Sequence, residues 1–250
     1  MTTPFYAPPD AFHSARVVFP EDEARHAAQV LRKQPGDEVV VVDGAGGWHH
    51  VRLGHVSRRQ VVGHVLETKA DVGESSRPVT VAIGLLKKRS RFETFVEKAV
   101  EVGVHRIQPL KTARTERDTV RHERLQRIAI AAMKQCQRSH LPTIKTPMSF
   151  PGGLQTDDGE TDDRLFLCHE QQSGAPLLAR ALAGHTKVPI RILIGPEGGF
   201  TDAEVETARA AGATVASLGP RRLRAETAGI VAATVATMHE APAATSNHTS

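Results

Sequence analysis

Apolar positions change period along this chain, and the change separates two kinds of structure. Over residues 1–70 the apolar runs are short and end in turn residues. Pro35-Gly36-Asp37 leads into a β-branched run at 38–42, and Asp43-Gly44-Ala45-Gly46-Gly47 forms a turn cluster. Residues 48–53 read as the return strand and 60–66 as another. Repeated short strands with glycine-rich turns predict a small β-barrel or sandwich. One helix is expected at 21–32. Gly44-x-Gly46-Gly47 looks like part of a dinucleotide loop, but a strand follows it rather than a helix, so a hairpin is expected. Residues 71–78 (DVGESSRP) are polar and turn-rich and read as a linker.

From residue 79 strands alternate with helices. Residues 79–86 form a nearly continuous apolar strand. A helix over 90–103 follows from Phe92, Phe95, Val96, Ala99 and Val100, which repeat at i, i+3, i+4, i+7 and i+8. Ser90 and Glu93 fit a capping box, and Gly103 can stop the helix. A strand at 106–110 leads to a second helix at 117–138, with an apolar stripe of Leu125, Ile128, Ala129, Ala132 and Met133. Strands are expected at 164–168, 189–194 and 214–218. Helices are expected at 176–183, 201–211 and 226–239, the second opened by a Thr201–Glu204 capping box. Residues 151–163 read as a Gly- and Asp-rich loop and 241–250 as a disordered tail. This alternation predicts an α/β fold with a parallel sheet covered on both faces.

Composition narrows the class. Hydrophobic residues make up 40% and charged residues 24% of the 250 positions, which argues against global disorder. No apolar run approaches the ~18–20 residues that span a bilayer. The opening MTTPFYAPPD lacks the pattern of a secretory signal, so a cytoplasmic location is expected. Cys136 and Cys168 are too few for a disulfide framework or a cysteine-rich zinc site, and both read as small core residues. No tight metal-ligand spacing occurs, so no metal is expected. His49, His50 and His55 read as surface residues of the hairpin.

Charge adds a partner class. The net charge is +4, but residues 76–145 hold 16 of the 32 basic residues and only 6 acidic ones. A concentrated positive field attracts a polyanion. Arg114, Arg117, Arg121 and Arg124 read as a basic stripe. With one Trp and one Tyr, base stacking cannot be the main binding mode.

Two segments carry the chemistry. In RILIGPEGGFTDAEVE a buried strand ends in a glycine loop at a helix N-terminus. Ligands of open α/β sheets bind at the carboxyl ends of strands, and glycines let backbone donors come close. The loop is neither G-x-x-x-x-G-K-[ST] nor G-x-G-x-x-G. It points to an adenine-containing ligand and disfavours a nucleotide-phosphate enzyme. In LGPRRLRAETA a strand again runs into a loop and a helix, with Arg224, Glu226 and Thr227 at the junction.

GPEGGF and LGPRRLRAETA, with KKRSRFETFVEKAVEVGV upstream, resemble the RsmE family of SPOUT-class RNA methyltransferases. DEARHAAQVLRKQPGDEVVVVDGAGG is similar to the family's PUA-like N-terminal barrel, and MKQCQRSHLP to its middle helix motif. Gln137 departs from the pattern, which has a small residue, usually glycine, before Arg138. The resemblance implies a PUA-like RNA-binding barrel at 1–70, a linker at 71–78 and a SPOUT domain at 79–240 with a parallel sheet and a trefoil knot. It also implies S-adenosylmethionine as cofactor, a homodimer, and 16S ribosomal RNA or the small ribosomal subunit as partner. The expected reaction is methylation of uracil N3. Ile194, Gly195, Gly198, Gly199, Leu218, Gly219, Leu223 and Arg224 would hold the cofactor.

Uracil N3 carries a proton at neutral pH, so the site must help remove it. Arg224 is the expected cation beside the uracil oxygens, and Glu226 or Glu197 the expected base. RNA contacts are expected from Arg25, His26, Arg32 and Lys33, from Lys87, Lys88, Arg89 and Arg91, and from Arg114, Arg117, Arg121, Arg124 and Arg138. Two competing readings are a SPOUT enzyme acting on a ribose 2′-hydroxyl or on tRNA, and a non-catalytic ribosome-assembly factor.

Overall fold

The computed structural model describes residues 3–75, 77–155, 163–170, 174–183 and 188–238; the expected tail at 241–250 lies outside them. The chain separates into two compact units. The first takes Met1–Glu74, Val96–His105 and Arg121–Ile144, and the second Ser75–Phe95, Arg106–Val120 and Lys145–Ser250. The boundary thus falls inside the expected linker, and two later segments return to the first unit. The physical reason is Glu74, which is buried against Arg138 rather than left in solvent.

The first unit opens with β1 (Phe5–Tyr6), β2 (Phe12–His13) and β3 (Arg16–Val18). A short helix α1 (Glu21–Arg25) continues as a wider π-type turn over His26–Val30. Then come β4 (Glu38–Val42), β5 (Gly47–Val56) and β6 (Val61–Ala70). The sheet order is β1-β4-β5-β6-β3-β2. Every pair is antiparallel except β1 with β4. In β5, His49, Val51 and Leu53 are buried while Arg52 and Gly54 are exposed. That is the period of two expected for a half-buried strand. Val51 and Leu53 join Phe5, Val17, Phe19, Val41 and Val61 in one apolar core.

The expected hairpin is present between β4 and β5, and a side chain closes it. Asp43 Oδ1 accepts from the Ala45 and Gly47 amides at 2.7 and 2.8 Å. The other Asp43 oxygen lies 3.2 Å from Nε2 of His49, whose Nδ1 lies 3.0 Å from the Thr68 hydroxyl. His49 is therefore a buried ring, also packed on Phe12 with centroids 4.4 Å apart, and not the expected surface residue.

The remaining elements are β7 (Val79–Gly84), α2 (Arg89–Glu101), β8 (Arg106–Lys111), α3 (His122–Cys136), β9 (Thr143–Ile144), β10 (Met148–Ser149) and α4 (Phe150–Gly153). They are followed by β11 (Arg164–Cys168), α5 (Leu178–Ala181), β12 (Ile190–Ile194), α6 (Asp202–Ala210), β13 (Thr214–Ala216) and α7 (Ala225–Met238). The second unit is built on a parallel sheet ordered β10-β8-β7-β12-β11-β13. All five residues of β12 are buried, as a central parallel strand requires. On one face Phe150, Phe200, Val205 and Ala208 pack with Leu110, Leu167 and Leu193. Among the described residues no helix is long and apolar enough to cross a membrane, and no cluster of His, Cys, Asp and Glu could hold a metal.

Two expected helices begin elsewhere. α2 starts at Arg89, so Ser90 lies inside its first turn rather than capping it. Its five periodic apolar residues are all buried. α3 starts at His122, not 117. The segment before it is held in turns by the Thr115 hydroxyl, which accepts from the Thr112 amide at 2.9 Å, so Arg114, Arg117 and Arg121 precede the helix and form no helical stripe with Arg124.

Candidate functional site

A cavity of about 300 Å³ opens in the second unit, at the carboxyl ends of β11 and β12 and beside the loop after β13. This is where a doubly wound sheet places its ligand. Two loops build most of the wall. The first, Gly195–Gly199 in sequence, leaves β12 and ends at α6; the Gly199 amide donates to the Pro196 carbonyl at 2.8 Å, closing a turn. The capping box then starts α6 as expected. The Glu204 amide donates to the Thr201 hydroxyl at 3.2 Å, and the Thr201 amide donates to the Glu204 carboxylate at 2.9 Å.

The second loop runs from Ser217 to the start of α7. Gly199 (φ +68°) and Gly219 (φ +114°) adopt left-handed backbone, and a Cβ added to either would meet nothing within 4 Å. Both glycines are needed for the turn and leave open space on that side.

Every residue expected to hold the cofactor borders this cavity: Ile194, Gly195, Gly198, Gly199, Leu218, Gly219, Leu223 and Arg224. Glu197 borders it too. Sequence reasoning missed His169, Glu170, Arg221 and Arg222, which also line it, and assigned Arg114, a further lining residue, to RNA. His169 and Glu170 follow the carboxyl end of β11, so the same strand-end rule could have found them. Arg114 could not have been found that way, because it lies 84 positions from the Gly198 carbonyl it contacts. Cys168 also borders the cavity, and burial pushes its thiol up to about 12, so it is no nucleophile at neutral pH.

The two candidate carboxylates differ in position. Glu197 accepts from the Lys87 amide on both oxygens, at 3.2 and 3.3 Å. Glu226, on the first turn of α7, is 8% exposed and does not border the cavity. Arg91 lies between them, with Nη1 3.8 Å from Glu197 and Nε 3.5 Å from Glu226. Glu226 Oε2 is buried with no hydrogen-bond partner among the described residues. Arg224 stands exposed on the cavity wall.

The residues expected to contact RNA fall into three groups. Arg32, Lys88, Arg89, Arg121 and Arg124 are exposed, as is Arg25, which pairs with Glu21 at 2.8 Å. Lys33 lies 3.9 Å from Asp37, and the His26 ring lies against Phe5. A second group is tied to the cavity wall. Arg91 holds the two carboxylates, Arg114 donates to the Gly198 carbonyl, Lys87 pairs with Glu116 at 2.6 Å, and Arg117 donates to the Lys87 carbonyl at 3.0 Å.

Arg138 is a correction. It is 2% exposed, its Nη2 lies 2.6 Å from Glu74, and its Nη1 donates to the Val100 and Val104 carbonyls at 2.7 and 3.1 Å. Each nitrogen of that guanidinium is engaged inside the first unit, and its burial withholds it from a phosphate. Gln137 beside it sits at the C-cap of α3 with φ +62°. Left-handed caps favour glycine, which gives the departure noted in the sequence a conformational meaning.

Comparison with known proteins gives consistent matches over both units. A family described as an RNA methyltransferase domain matches residues 73–237, and one described as an RNA methyltransferase PUA domain matches residues 19–66. The chain is 35% identical over 228 residues to a ribosomal RNA small subunit methyltransferase E from Synechocystis sp., covering 90% of this chain and 73% of that protein. A crystal structure of a ribosomal RNA small subunit methyltransferase E from Neisseria gonorrhoeae bound to S-adenosyl methionine superposes with a TM-score of 0.82. It is 28% identical and covers 93% of this chain and 95% of that one. A probable rRNA-methyltransferase from Porphyromonas gingivalis superposes with a TM-score of 0.82 at 33% identity, covering 92% and 95%.

Proposed function

The chain belongs to the RNA methyltransferase family that includes ribosomal RNA small subunit methyltransferase E, and from that premise we propose that it methylates N3 of a uridine in 16S ribosomal RNA, using S-adenosylmethionine. The observation that carries this reading is the cavity walled by both glycine loops. Its lining suits an amphipathic cofactor. Leu218, Leu223 and Ile194 offer apolar surface for an adenine, and Glu170 and Arg222 offer charge for an amino-acid end. The two left-handed glycines leave room for a ligand against the backbone.

When bound, the cofactor supplies an electrophilic methyl group on a sulfonium. The protein's task is to present N3 in line with that group and to take its proton as the N–C bond forms and the C–S bond breaks. Positioning alone is worth effective molarities of about 10⁵–10⁸ M. Arg224, exposed on the cavity wall, is the cation that stabilises the uracil anion through its oxygens. Position favours Glu197 over Glu226 as the base. Glu197 borders the cavity, whereas Glu226 is buried behind Arg91. On this reading Glu197→Gln lowers kcat far more than Glu226→Gln does; equal losses would return Glu226 to the role.

The same reading places the protein in the cytoplasm as a homodimer, with the two glycine loops in a trefoil knot. The deciding experiment incubates the protein with labelled S-adenosylmethionine and small ribosomal subunits lacking the modification, then identifies the labelled nucleoside. 3-Methyluridine is expected. A 2′-O-methyl product would keep the fold and remove the uracil chemistry, and cofactor binding without labelling of any subunit or naked 16S RNA would move the substrate to another RNA.

A further inference from the structure

Arg114 belongs to the basic stretch that the sequence offers to a polyanion, yet its guanidinium is engaged by the glycine loop. Its Nη1 donates to the Gly198 carbonyl at 2.6 Å and to the Phe200 carbonyl at 3.3 Å. Its stem lies flat against the loop: a Cβ added to Gly198 would come within 3.1 Å of the Arg114 Cβ and 3.2 Å of its Cδ. Glycine at 198 therefore leaves the space in which this arginine sits. Arg114 also borders the cavity.

The segment around it is pinned at further points of the same unit. The Ala113 amide donates to Glu204 at 2.8 Å, and Glu204 is the capping-box residue at the far end of the loop. Arg117 donates to the Lys87 carbonyl at 3.0 Å, and the Lys87 amide donates to Glu197. The strap after β8 thus reaches both sides of the glycine loop, through Arg114 at Gly198 and Phe200 and through Lys87 at Glu197.

We propose that Arg114 is a positioning residue for the cofactor loop, holding the 195–200 backbone in its ligand-binding shape, rather than a phosphate contact. The inference rests on the cavity being the S-adenosylmethionine site. One guanidinium bridging two carbonyls fixes the 198–199 and 200–201 peptide planes, and between them lies Gly199, a glycine in left-handed backbone whose lack of a side chain leaves the loop free to rearrange without that bridge. A lysine nitrogen stops about one bond short of the Nη1 position and carries its hydrogens on a rotating ammonium, so it holds the two carbonyls less firmly.

Arg114→Met keeps most of the stem over Gly198 and removes the donors; Arg114→Lys keeps one point charge. Calorimetric titration with S-adenosylmethionine reads the loop, and the salt dependence of affinity for a 16S RNA fragment reads phosphate contacts. Arg114→Met is expected to weaken cofactor binding about tenfold, with Arg114→Lys in between. Its RNA salt slope is expected to match that of the unaltered protein. Unchanged cofactor affinity would overturn the inference, and a salt slope smaller by about one would then give Arg114 back to the RNA. If the unaltered protein bound no S-adenosylmethionine, the functional reading would fall and take this inference with it.

Discussion

Arg138 and Arg224 are both read from the sequence as functional cations, but the structure uses them in opposite ways. Arg138, in the first unit, is 2% exposed and divides its donors among Glu74 and two carbonyls. Arg224, in the second unit, is exposed on the wall of the cavity. The first unit spends charge to hold itself together, and Lys134 against Glu23 is another such pair. The second unit keeps Arg221, Arg222 and Arg224 at a cavity rim. The basic excess over residues 76–145 therefore includes charges consumed by folding, Lys134 and Arg138 among them. Counting it overstates the footprint on RNA.

The largest effect expected from breaking this contrast is Arg138→Met. It strands the Glu74 carboxylate, whose side chain is 6% exposed, and should cost about 3–5 kcal/mol in chemical denaturation. RNA affinity at a temperature where the variant stays folded should be unchanged. A stable Arg138→Met protein with weakened RNA binding would erase the distinction. Arg224→Ala should do the reverse. Its melting temperature should hold while kcat for methyl transfer falls about 10²–10³-fold. Near-normal turnover would remove Arg224 from the mechanism.

A smaller effect sharpens the first-unit side. Gln137→Gly relieves a left-handed residue at the C-cap of α3 and should stabilise the protein by about 0.5–1 kcal/mol, read from the denaturation midpoint. A loss of stability would mean that the Gln137 side chain supplies more than its backbone costs. The smallest effect is a pH slope. Burial, and then the nearby Arg138, hold His105 below its ordinary value of 6.5, against a weaker upward pull from Glu74 and a further downward one from His140. Between the lowered folded value and 6.5 the unfolded chain binds more protons, so stability falls as pH drops through 6.5. His105→Gln should flatten that slope in pH-dependent denaturation; an unaltered slope would assign it to other groups.

Much of the architecture was legible because the patterns that encode it are local. The stripe Phe92, Phe95, Val96, Ala99 and Val100 is wholly buried, and β4 with β5 forms the hairpin that the Asp43–Gly47 turn residues announce. The capping box at Thr201 and Glu204 is closed from both sides. The strand–glycine-loop–helix motifs at 195–199 and 218–224 brought eight residues onto one cavity, because a parallel sheet collects the ends of its strands in one place. Illegible were the features that depend on partners far along the chain. The early start read for α3 overlooked the turn at Thr112–Thr115, and the surface reading of His49 overlooked Asp43 and Thr68. Equally illegible was that Glu74, inside the stretch read as a linker at 71–78, meets Arg138, 64 positions away.

By itself the sequence determined the element types, the two strand-end loops and the residues that those loops carry, since periodicity, capping and turn chemistry act over a few positions. Only the tertiary structure decided which charges are spent and which are free. Whether an arginine meets a carboxylate, a carbonyl or solvent depends on segments 38 to 84 positions apart, as with Arg138 at Val100 and Arg114 at Gly198, and burial strengthens the first two while denying the third.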